Sequence, residues 1–314
     1  MRAITLVDPL DLPHPVVTVG TFDGVHVGHA AVLEAVRAEA GAKQGTCVAV
    51  TFDPHPRQVI DGVQAPPILT TLAEKTWRIG MLGVDLLAIV PFTQSVRELS
   101  PQDFVHHFLV ERLGAQSVIL GYDHGFGKDR AGGLETMTAL GDRFGFSVHS
   151  VPPTLVDGNP VSSTRIRTAL AQGDLDGATQ LIGSGYPLMG QVVKGEGQGK
   201  QLGFPTANLV FEDAGKLLPQ PGVYAARVFL PEPRSAVLNF GHRPTFRGTQ
   251  KTFEVHILDF EGDLYGQTLK LELCHWLRAE QKFENLEALV RQIQSDTETT
   301  RHLLSQKETT LLRR

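Results

Sequence analysis

Short apolar runs alternate with helix-forming stretches through the first half of the chain. Four runs are rich in β-branched residues and lack a regular polar alternation: Val16–Val19, Cys47–Phe52, Leu86–Val90 and Ser117–Leu120. Runs of this kind are typical of strands that are buried on both faces in a parallel sheet. Between them, residues 29–40 are good helix formers, and Ser100-Pro101 begins a helix that Gly114 ends. The alternation predicts a doubly wound α/β fold, whose ligands bind beyond the carboxyl ends of the strands.

The pattern changes after residue 184, where glycine and proline become frequent and turn signals separate short apolar segments. These segments are residues 190–193, 223–229, 236–240, 253–258 and 269–273. They predict a compact antiparallel barrel. A terminal helix follows, with one apolar face marked by Leu286, Leu289, Val290 and Ile293. We therefore expect one domain over residues 1–184 and a second domain, the barrel with its helix, over residues 185–314.

The composition excludes some classes of protein. Hydrophobic residues make up 41% and charged residues 20% of the 314 positions, which is ordinary for a globular chain. The net charge of −5 argues against binding of nucleic acid by bulk electrostatics. Cys47 and Cys274 lie far apart without C-x-x-C spacing, so no thiolate metal site is expected. Because no signal peptide or membrane-spanning stretch is visible, we expect a cytoplasmic protein without membrane or nucleic-acid partners.

Two histidines follow the first buried strand in a glycine-rich turn. Residues 20–29 read Gly-Thr-Phe-Asp-Gly-Val-His-Val-Gly-His, and a helix-forming stretch comes next. The start of a helix offers free N–H groups and a positive dipole end to a phosphate. The imidazoles of His26 and His29 can donate to oxygens that gain charge as pyrophosphate leaves. The alternative interpretation is that the two histidines only cap the turn.

A second set of phosphate-binding side chains is predicted at residues 162–167, which read Ser-Ser-Thr-Arg-Ile-Arg. The hydroxyls of Ser162, Ser163 and Thr164 suit a helix start, and Arg165 and Arg167 supply fixed positive charge and paired donors for a triphosphate. Taken alone, the segment could equally be a solvated helix start with surface arginines.

Together the two motifs resemble the H-x-G-H nucleotidyltransferase superfamily. With Thr-Phe-Asp-Pro-His-Pro at residues 51–56, they resemble more specifically the FMN adenylyltransferase half of the bacterial bifunctional riboflavin kinase/FMN adenylyltransferases. The resemblance implies that His26, His29, Arg165, Arg167 and Mg²⁺ neutralise charge while an FMN phosphate attacks ATP. It also implies ATP or phosphate contacts for Gly20, Phe22, Asp23, Gly28 and Asp123, and flavin contacts for Phe52, Pro54 and Phe126. Near Asp123, His124 and Gly125 replace the family's commoner aromatic residue and arginine.

A second glycine-rich segment lies in the barrel domain. Residues 195–209 read Gly-Glu-Gly-Gln-Gly-Lys-Gln-Leu-Gly-Phe-Pro-Thr-Ala-Asn-Leu. Gly195 and Gly199 can bring backbone N–H groups onto phosphates. Thr206 and Asn208, two apart on a strand, point the same way and can offer oxygens to Mg²⁺. The block resembles the riboflavin kinase signature, with Lys200 as a further phosphate contact in the place where that family usually has arginine.

The riboflavin kinase resemblance implies two further roles in the barrel domain. Glu254 takes the position of the base that removes the proton from the ribityl 5′-hydroxyl, and Arg278 takes that of a flavin contact. Without the surrounding pattern, Glu254 would be read as an ordinary outward-facing strand residue. The complete resemblance implies phosphorylation of riboflavin to FMN and adenylylation of FMN to FAD, with ATP as co-substrate and Mg²⁺ as cofactor.

Three other functions are compatible with parts of the sequence. The first domain could adenylylate a different acceptor, such as a pantetheine phosphate or a phospho-alcohol, although the kinase-like block argues against that. An aminoacyl-tRNA synthetase also uses an H-x-G-H element, but it needs a K-M-S-K-S-like loop that this sequence lacks. Residues 185–314 could instead sense flavin without phosphorylating it. The sequence leaves the oligomeric state open.

Overall fold

The computed structural model describes residues 1–122, 125–128, 131–195, 199, 202–211, 215–230, 232–245 and 248–305. Contacts within the chain divide it into two compact units, Met1–Ser163 and Thr164–Arg314. Two predicted site residues, Asp123 and Lys200, lie outside the described residues. None of the helices in the described part of the chain is both long enough and apolar enough to cross a membrane.

The first unit contains a six-stranded parallel sheet in the order β1-β4-β3-β2-β5-β6. Its strands are β1 (Arg2–Thr5), β2 (Val16–Val19), β3 (Cys47–Asp53), β4 (Leu86–Pro91), β5 (Ser117–Gly121) and β6 (Ser147–Val151). The helices are α1 (Val27–Ala42), α2 (Pro56–Ile60), α3 (Leu72–Met81), α4 (Gln94–Arg97), α5 (Pro101–Phe104) and α6 (Leu134–Phe144). A π-helical segment (Val105–Arg112) continues α5, a 3₁₀ turn spans Gly62–Gln64, and β7 (Leu155–Val156) pairs with β8 (Asn159–Pro160) in a small hairpin.

Apolar side chains cover both faces of this sheet. Along β2, Val17 and Val19 belong to one buried cluster, whereas Val16 belongs to another. The first cluster includes Phe104 of α5, and the second includes Leu33 of α1. Because successive strand side chains point to opposite faces, a strand with helices on both sides is largely apolar along its whole length. The predicted doubly wound α/β fold is confirmed.

The strand order reverses at β2, which lies between β3 and β5. In open sheets of this kind, ligands bind in the crevice at such a reversal, beyond the carboxyl ends of the strands. The H-x-G-H turn follows β2, and the segment that begins at Tyr122 follows β5. Both segments therefore begin at the edge of the sheet where a ligand is expected.

The second unit is a closed antiparallel barrel in the order β10-β13-β12-β11-β14-β9, in which pairing of β10 with β9 completes the ring. The strands are β9 (Tyr186–Val193), β10 (Ala207–Val210), β11 (Gly222–Leu230), β12 (Glu232–Thr245), β13 (Gly248–Ile257) and β14 (Thr268–Arg278). Two helices precede the barrel, α7 (Ser163–Ala171, whose first residue ends the first unit) and α8 (Leu175–Ile182), and α9 (Leu286–Ser305) follows it. The predicted barrel and terminal helix are confirmed.

The apolar face predicted for α9 is packed along only part of its length. Leu286 is exposed at the start of the helix. Leu289, Val290 and Ile293 are partly buried, and the buried positions are Asp296, Thr297, Thr300 and Leu304. The second half of the helix therefore carries the tightest packing, and polar side chains supply much of it.

Helix α8 packs against β9 and β14. Leu181 and Ile182 are buried, and His275 of β14 shares a hydrogen bond of 2.8 Å with Asp176. These contacts place residues 164–184 with the barrel, whereas the sequence suggested a boundary after residue 184. That boundary stays a prediction, and it can be tested with fragments.

Candidate active sites

The turn after β2 is tightly folded. The N–H of Gly20 donates to a carbonyl of β3 at 3.0 Å, so the chain stays bonded to the sheet as it leaves the strand. Phe22, Gly24 and Val25 then adopt φ angles of 48°, 87° and 41°. Such angles are unfavourable for residues with a Cβ, and strain of this kind is concentrated at functional sites. The ring of buried Phe22 packs edge-on against the imidazole of His29 at 5.2 Å.

His26 and His29 cap α1 with their side chains. The backbone N–H of His29 donates to Nδ1 of His26, and the backbone N–H of His26 donates to Nδ1 of His29, both at 3.3 Å. The two rings stack with their centroids 3.7 Å apart. The two histidines therefore do cap the turn, as the alternative interpretation of the motif predicted. Capping does not compete with phosphate binding, because each cap uses only one nitrogen of the ring.

The caps determine which nitrogen of each ring carries the hydrogen. A neutral imidazole that accepts at Nδ1 has its hydrogen on Nε2. Burial, followed by the neighbouring His26 and Lys75, lowers the pKa of His29 well below its ordinary value, so this ring is neutral near physiological pH. The turn thus presents paired Nε2–H donors, which can stabilise oxygens that gain negative charge.

Two other residues of the motif are explained by close packing. A Cβ at Gly28 would lie 3.2 Å from the imidazole of His26, and a Cβ at Gly20 would lie 3.1 Å from the ring of Phe22. Both contacts are tighter than ordinary van der Waals packing. Glycine at these two positions therefore lets the aromatic rings of the turn lie against the backbone.

Asp23 connects the turn to the start of α3. Its carboxylate is buried and accepts hydrogen bonds from the backbone N–H groups of Leu69, at 2.8 Å, and Thr70, at 3.0 Å. The hydroxyl of Thr70 accepts in return from the N–H of Gly24 at 3.0 Å. Asp23 thus shapes the turn through the backbone, and its predicted contact with phosphate stays a prediction.

The second predicted phosphate segment begins beside the same turn. The hydroxyl of Ser163 donates to the carbonyl of Asp23 at 2.8 Å. Arg165 and Arg167 are partly buried on the first turns of α7 and belong to the second unit. The phosphate roles stay predictions for the whole set, Ser162, Ser163, Thr164, Arg165 and Arg167.

Two predicted flavin-binding residues meet in an aromatic cluster. The ring of Phe104 lies 6.0 Å from that of Phe52 and 6.3 Å from that of Phe126, measured between centroids. Phe92 contacts Phe52 edge-on at 5.5 Å. Phe126 is buried, whereas Pro54, which follows a cis peptide bond, is exposed. The cluster forms an apolar wall at the carboxyl end of β3, and the flavin contacts stay a prediction.

In the second unit, the predicted base lies directly across a strand pair from a predicted metal ligand. Asn208 of β10 pairs with Glu254 of β13, and Glu254 pairs on its other side with Asn239 of β12. The next residues along, Phe253 and Phe240, also pair, are buried, and stack at 4.3 Å. Because side chains alternate along strands, Asn208, Glu254 and Asn239 form a polar row on the opposite face. Sequence reasoning gave Asn239 no role in the site, since only the register shows that it lies beside Glu254.

Gly195 and Gly199 lie against the predicted metal ligands. A Cβ at Gly195 would clash with the side-chain amide of Asn208. A Cβ at Gly199 would lie 3.1 Å from the hydroxyl of Thr206 and would clash with the carbonyl of Phe204. Both positions therefore need glycine so that the backbone can approach. The glycine-rich segment and the G-F-P-T-A-N block meet at one place.

Thr206 and Asn208 carry the hydroxyl and the amide oxygen that are predicted to bind a metal ion, and this role stays a prediction. Mg²⁺ prefers oxygen ligands and is commonly held by few protein groups together with substrate phosphates. Across the described ranges, no three His, Cys, Asp or Glu side chains cluster in a way that could hold a metal. The two oxygens, next to backbone that can approach phosphates, fit a metal ion that arrives with a nucleotide.

A cavity of about 620 Å³ lies next to this block, between the loop after β13 and α9. Its lining includes Phe204 and Pro205, the ring of His256, and Thr297 of α9. His256 is two residues from Glu254 on the same strand, so both side chains are on one face. The hydroxyl of Thr297 is buried and has no hydrogen-bond partner among the described residues. The volume is in the range of small-molecule sites.

Arg278, predicted to contact flavin, forms a partly buried ion pair. Its Nε donates to both carboxylate oxygens of Asp296 at 3.1 Å, and its Nη2 donates to Oδ2 at 2.8 Å. The guanidinium also lies 5.8 Å from the ring centroid of Phe283. Asp296 on α9 therefore fixes the orientation of Arg278 at the end of β14. A contact between Arg278 and flavin stays a prediction.

Comparison with known proteins identifies a family for each part of the chain. The FAD synthetase family model matches residues 9–165, and the riboflavin kinase family model matches residues 182–304. These matches define a two-domain, ATP-using transferase, a class of enzyme that generally needs a divalent metal. The chain belongs to the bifunctional riboflavin kinase/FMN adenylyltransferase family.

Individual relatives match along nearly their whole length. The bifunctional riboflavin kinase/FMN adenylyltransferase of Listeria monocytogenes is 36% identical over 93% of this chain and 93% of the relative. The corresponding protein of Pseudomonas fluorescens is 39% identical over 92% of each chain. A crystal structure described as a macrolide-efflux protein from Streptococcus pneumoniae has a TM-score of 0.81 and 30% identity, covering 96% of this chain and 98% of that chain. The last similarity shows the same fold over nearly the whole chain.

Proposed function

We propose that this chain makes FAD from riboflavin in two ATP-dependent steps. The second unit transfers the γ-phosphoryl group of ATP to the riboflavin 5′-hydroxyl, which gives FMN and ADP. The first unit transfers AMP from ATP to the FMN phosphate, which gives FAD and pyrophosphate. The main support is the cross-strand pairing of Glu254 with Asn208, beside the two glycines and Thr206. This arrangement combines a base, oxygens for a metal and room for phosphates.

In the kinase step, Glu254 accepts the proton as the ribityl oxygen attacks the γ-phosphorus. The bond from the γ-phosphorus to the bridging oxygen breaks, and ADP leaves with the electron pair. A positioned carboxylate base contributes roughly 10²–10⁴-fold to such a step. Gly195 and Gly199 allow backbone N–H groups close to the phosphates. Mg²⁺ held by Thr206 and Asn208 would neutralise phosphate charge.

In the adenylyl transfer step, an oxygen of the FMN phosphate attacks the α-phosphorus of ATP and pyrophosphate leaves. No covalent enzyme intermediate is needed, so the residues contribute positioning and charge stabilisation. His26 and His29 donate from Nε2 to the phosphate oxygens. Gly28 keeps the backbone close to the rings, and Arg165 and Arg167 add positive charge. The aromatic wall that contains Phe52 and Phe126 would lie against the flavin.

The remaining assignments are part of the same proposal. The ligands are riboflavin, FMN and ATP, Mg²⁺ is the metal, and the enzyme acts in the cytoplasm without a nucleic-acid or membrane partner. The cavity lined by Phe204, His256 and Thr297 is large enough for the nucleoside of the kinase ATP.

A product time course tests the function. Purified protein is mixed with riboflavin, ATP and Mg²⁺, and flavins are separated by chromatography. We expect FMN to rise first and FAD to follow, with pyrophosphate released in proportion to FAD. Flavin binding without turnover would favour the sensing module instead. Adenylylation of pantetheine phosphate but not FMN would favour a different acceptor.

A further inference from the structure

A buried lysine lies next to the H-x-G-H turn. Lys75 is in the first turn of α3, and the residue is 4% exposed. Burying a charged amine is costly unless nearby groups compensate. Lys75 is not part of the H-x-G-H motif. Its buried amine, which lies between β3 and the turn, therefore needs an explanation.

Lys75 is hydrogen-bonded to the turn through one hydroxyl. Its Nζ donates to Oγ1 of Thr51 on β3 at 3.2 Å, and that hydroxyl donates to the carbonyl of Thr21 at 3.2 Å. Thr51 is fully buried, so solvent does not replace either bond. Because Oγ1 of Thr51 accepts from the amine, its own hydrogen is directed to the carbonyl of Thr21. The amine thereby helps to hold that carbonyl in position.

The charges around Lys75 come from three elements. Asp23 of the turn and Asp53 at the end of β3 raise its pKa, but burial outweighs them and lowers the pKa to about 8. The positive charge of Lys75 in turn lowers the pKa of His29 on α1, as a smaller cause than burial and the neighbouring His26. A cation at this place disfavours a second proton on the His29 ring.

We propose that Lys75 is a positioning residue of the adenylyl transfer site. It holds the phosphate turn through Thr51, and it keeps His29 in the neutral form that accepts at Nδ1 and donates from Nε2. Protonation of Nδ1 would place a hydrogen against the backbone N–H of His26 and break the cap. Removal of the amine therefore weakens both the geometry of the turn and the donor form of the ring.

The kinetic test of this inference rests on the proposed function. A second measurement, which does not depend on turnover, is therefore included. Lys75→Met is compared with Lys75→Arg, which restores a cation, and with Lys43→Met, a matched loss of an exposed lysine on the far end of α1. In Lys75→Met we expect the kcat for FMN to FAD to fall roughly 10- to 100-fold, as misplacement of a reacting group would. The acid limb of its pH profile moves to higher pH, Lys75→Arg recovers part of the rate, and riboflavin phosphorylation is unchanged.

Titration of the histidine rings by NMR in the full chain provides the second measurement. In Lys75→Met the His29 resonance should titrate at higher pH than in the wild type, and in Lys43→Met it should not change. Should Lys75→Met fail to fold, Thr51→Val removes the bond to the amine with little change of shape, and it should still lower kcat. An unchanged His29 titration together with unchanged kcat in a folded variant overturns the inference. Absence of FAD from the wild type overturns the proposed function instead.

Discussion

The ion pair between Arg278 and Asp296 should be the most sensitive contact between α9 and the barrel. The side chain of Asp296 is 7% exposed and that of Arg278 is 21% exposed, and three hydrogen bonds of 2.8 to 3.1 Å join them. Replacement of Arg278 by methionine leaves the carboxylate buried, with Gln292 as a neutral donor at 2.9 Å. Loss of one partner from a buried pair costs about 3–5 kcal/mol, so we expect a loss near the lower end of this range because the guanidinium is partly exposed.

The assay is denaturant unfolding followed by tryptophan fluorescence. The chain has two tryptophans, Trp77 and Trp276, so a Trp77→Phe background leaves a reporter on β14, two residues from Arg278. The double variant Arg278→Met/Asp296→Leu removes both charges and should recover most of the loss, since apolar replacements of buried pairs are often neutral. These two variants separate the cost of an unpaired charge from the loss of packing.

A matched control is available on the same helix. Arg291 and Glu287 lie 4.0 Å apart and both side chains are largely exposed. Exposed pairs contribute little, so Arg291→Met should leave the unfolding transition unchanged. A loss of less than about 1 kcal/mol in Arg278→Met would refute the reasoning, because solvent or a rearranged neighbour would then satisfy the carboxylate.

Three other features give measurable expectations. Burial lowers the pKa of Lys75 from 10.5 to about 8, so the unfolded state binds more protons than the folded state between these pH values. Lys75→Met should therefore stabilise the first unit by about 2–3 kcal/mol near pH 7, and this gain should fall as the pH approaches about 10. The fluorescence of Trp77, two residues away, would report unfolding in a Trp276→Phe background. Gly195→Ala should displace Asn208 and slow riboflavin phosphorylation by roughly 10²-fold while FMN adenylylation is retained, as initial rates would show. A fragment of residues 164–305 should melt at a higher temperature than one of residues 185–305, because it keeps the packing of α8 on the barrel; equal melting temperatures would favour the boundary at residue 184.

The sequence was most informative where burial is complete. The strands β2 and β5 lie inside the parallel sheet with a neighbour on each side, and their largely apolar runs predicted them nearly residue for residue. The edge strands β1 and β6 were missed, because exposed edge positions carry polar residues that do not form a recognisable pattern. Leu286 shows a different limit: periodicity predicted the helix, but only the fold shows which part of it packs.

In the candidate sites too, local sequence patterns were predictable and contacts between distant parts of the chain were not. His26, His29 and Glu254 belong to local motifs, which resemblance to a family can identify. The places of Asn239 and Lys75 in the sites were not predicted, because their neighbours are far away in the chain. A signal for Lys75 existed: it lies three residues after Leu72 and four before Ile79, on the apolar side of α3, where a lysine is unexpected without a partner.

Crossed inactivation of the two sites tests the central claim, that two separate sites on one chain act in succession. His29→Ala and Glu254→Gln are each given riboflavin, ATP and Mg²⁺, and separately FMN with ATP and Mg²⁺. His29→Ala should accumulate FMN and form FAD on the order of 10²-fold more slowly. Glu254→Gln should form FMN roughly 10²–10⁴-fold more slowly and still convert supplied FMN to FAD at the wild-type rate. Equal loss of both reactions in either folded variant would contradict two independent sites.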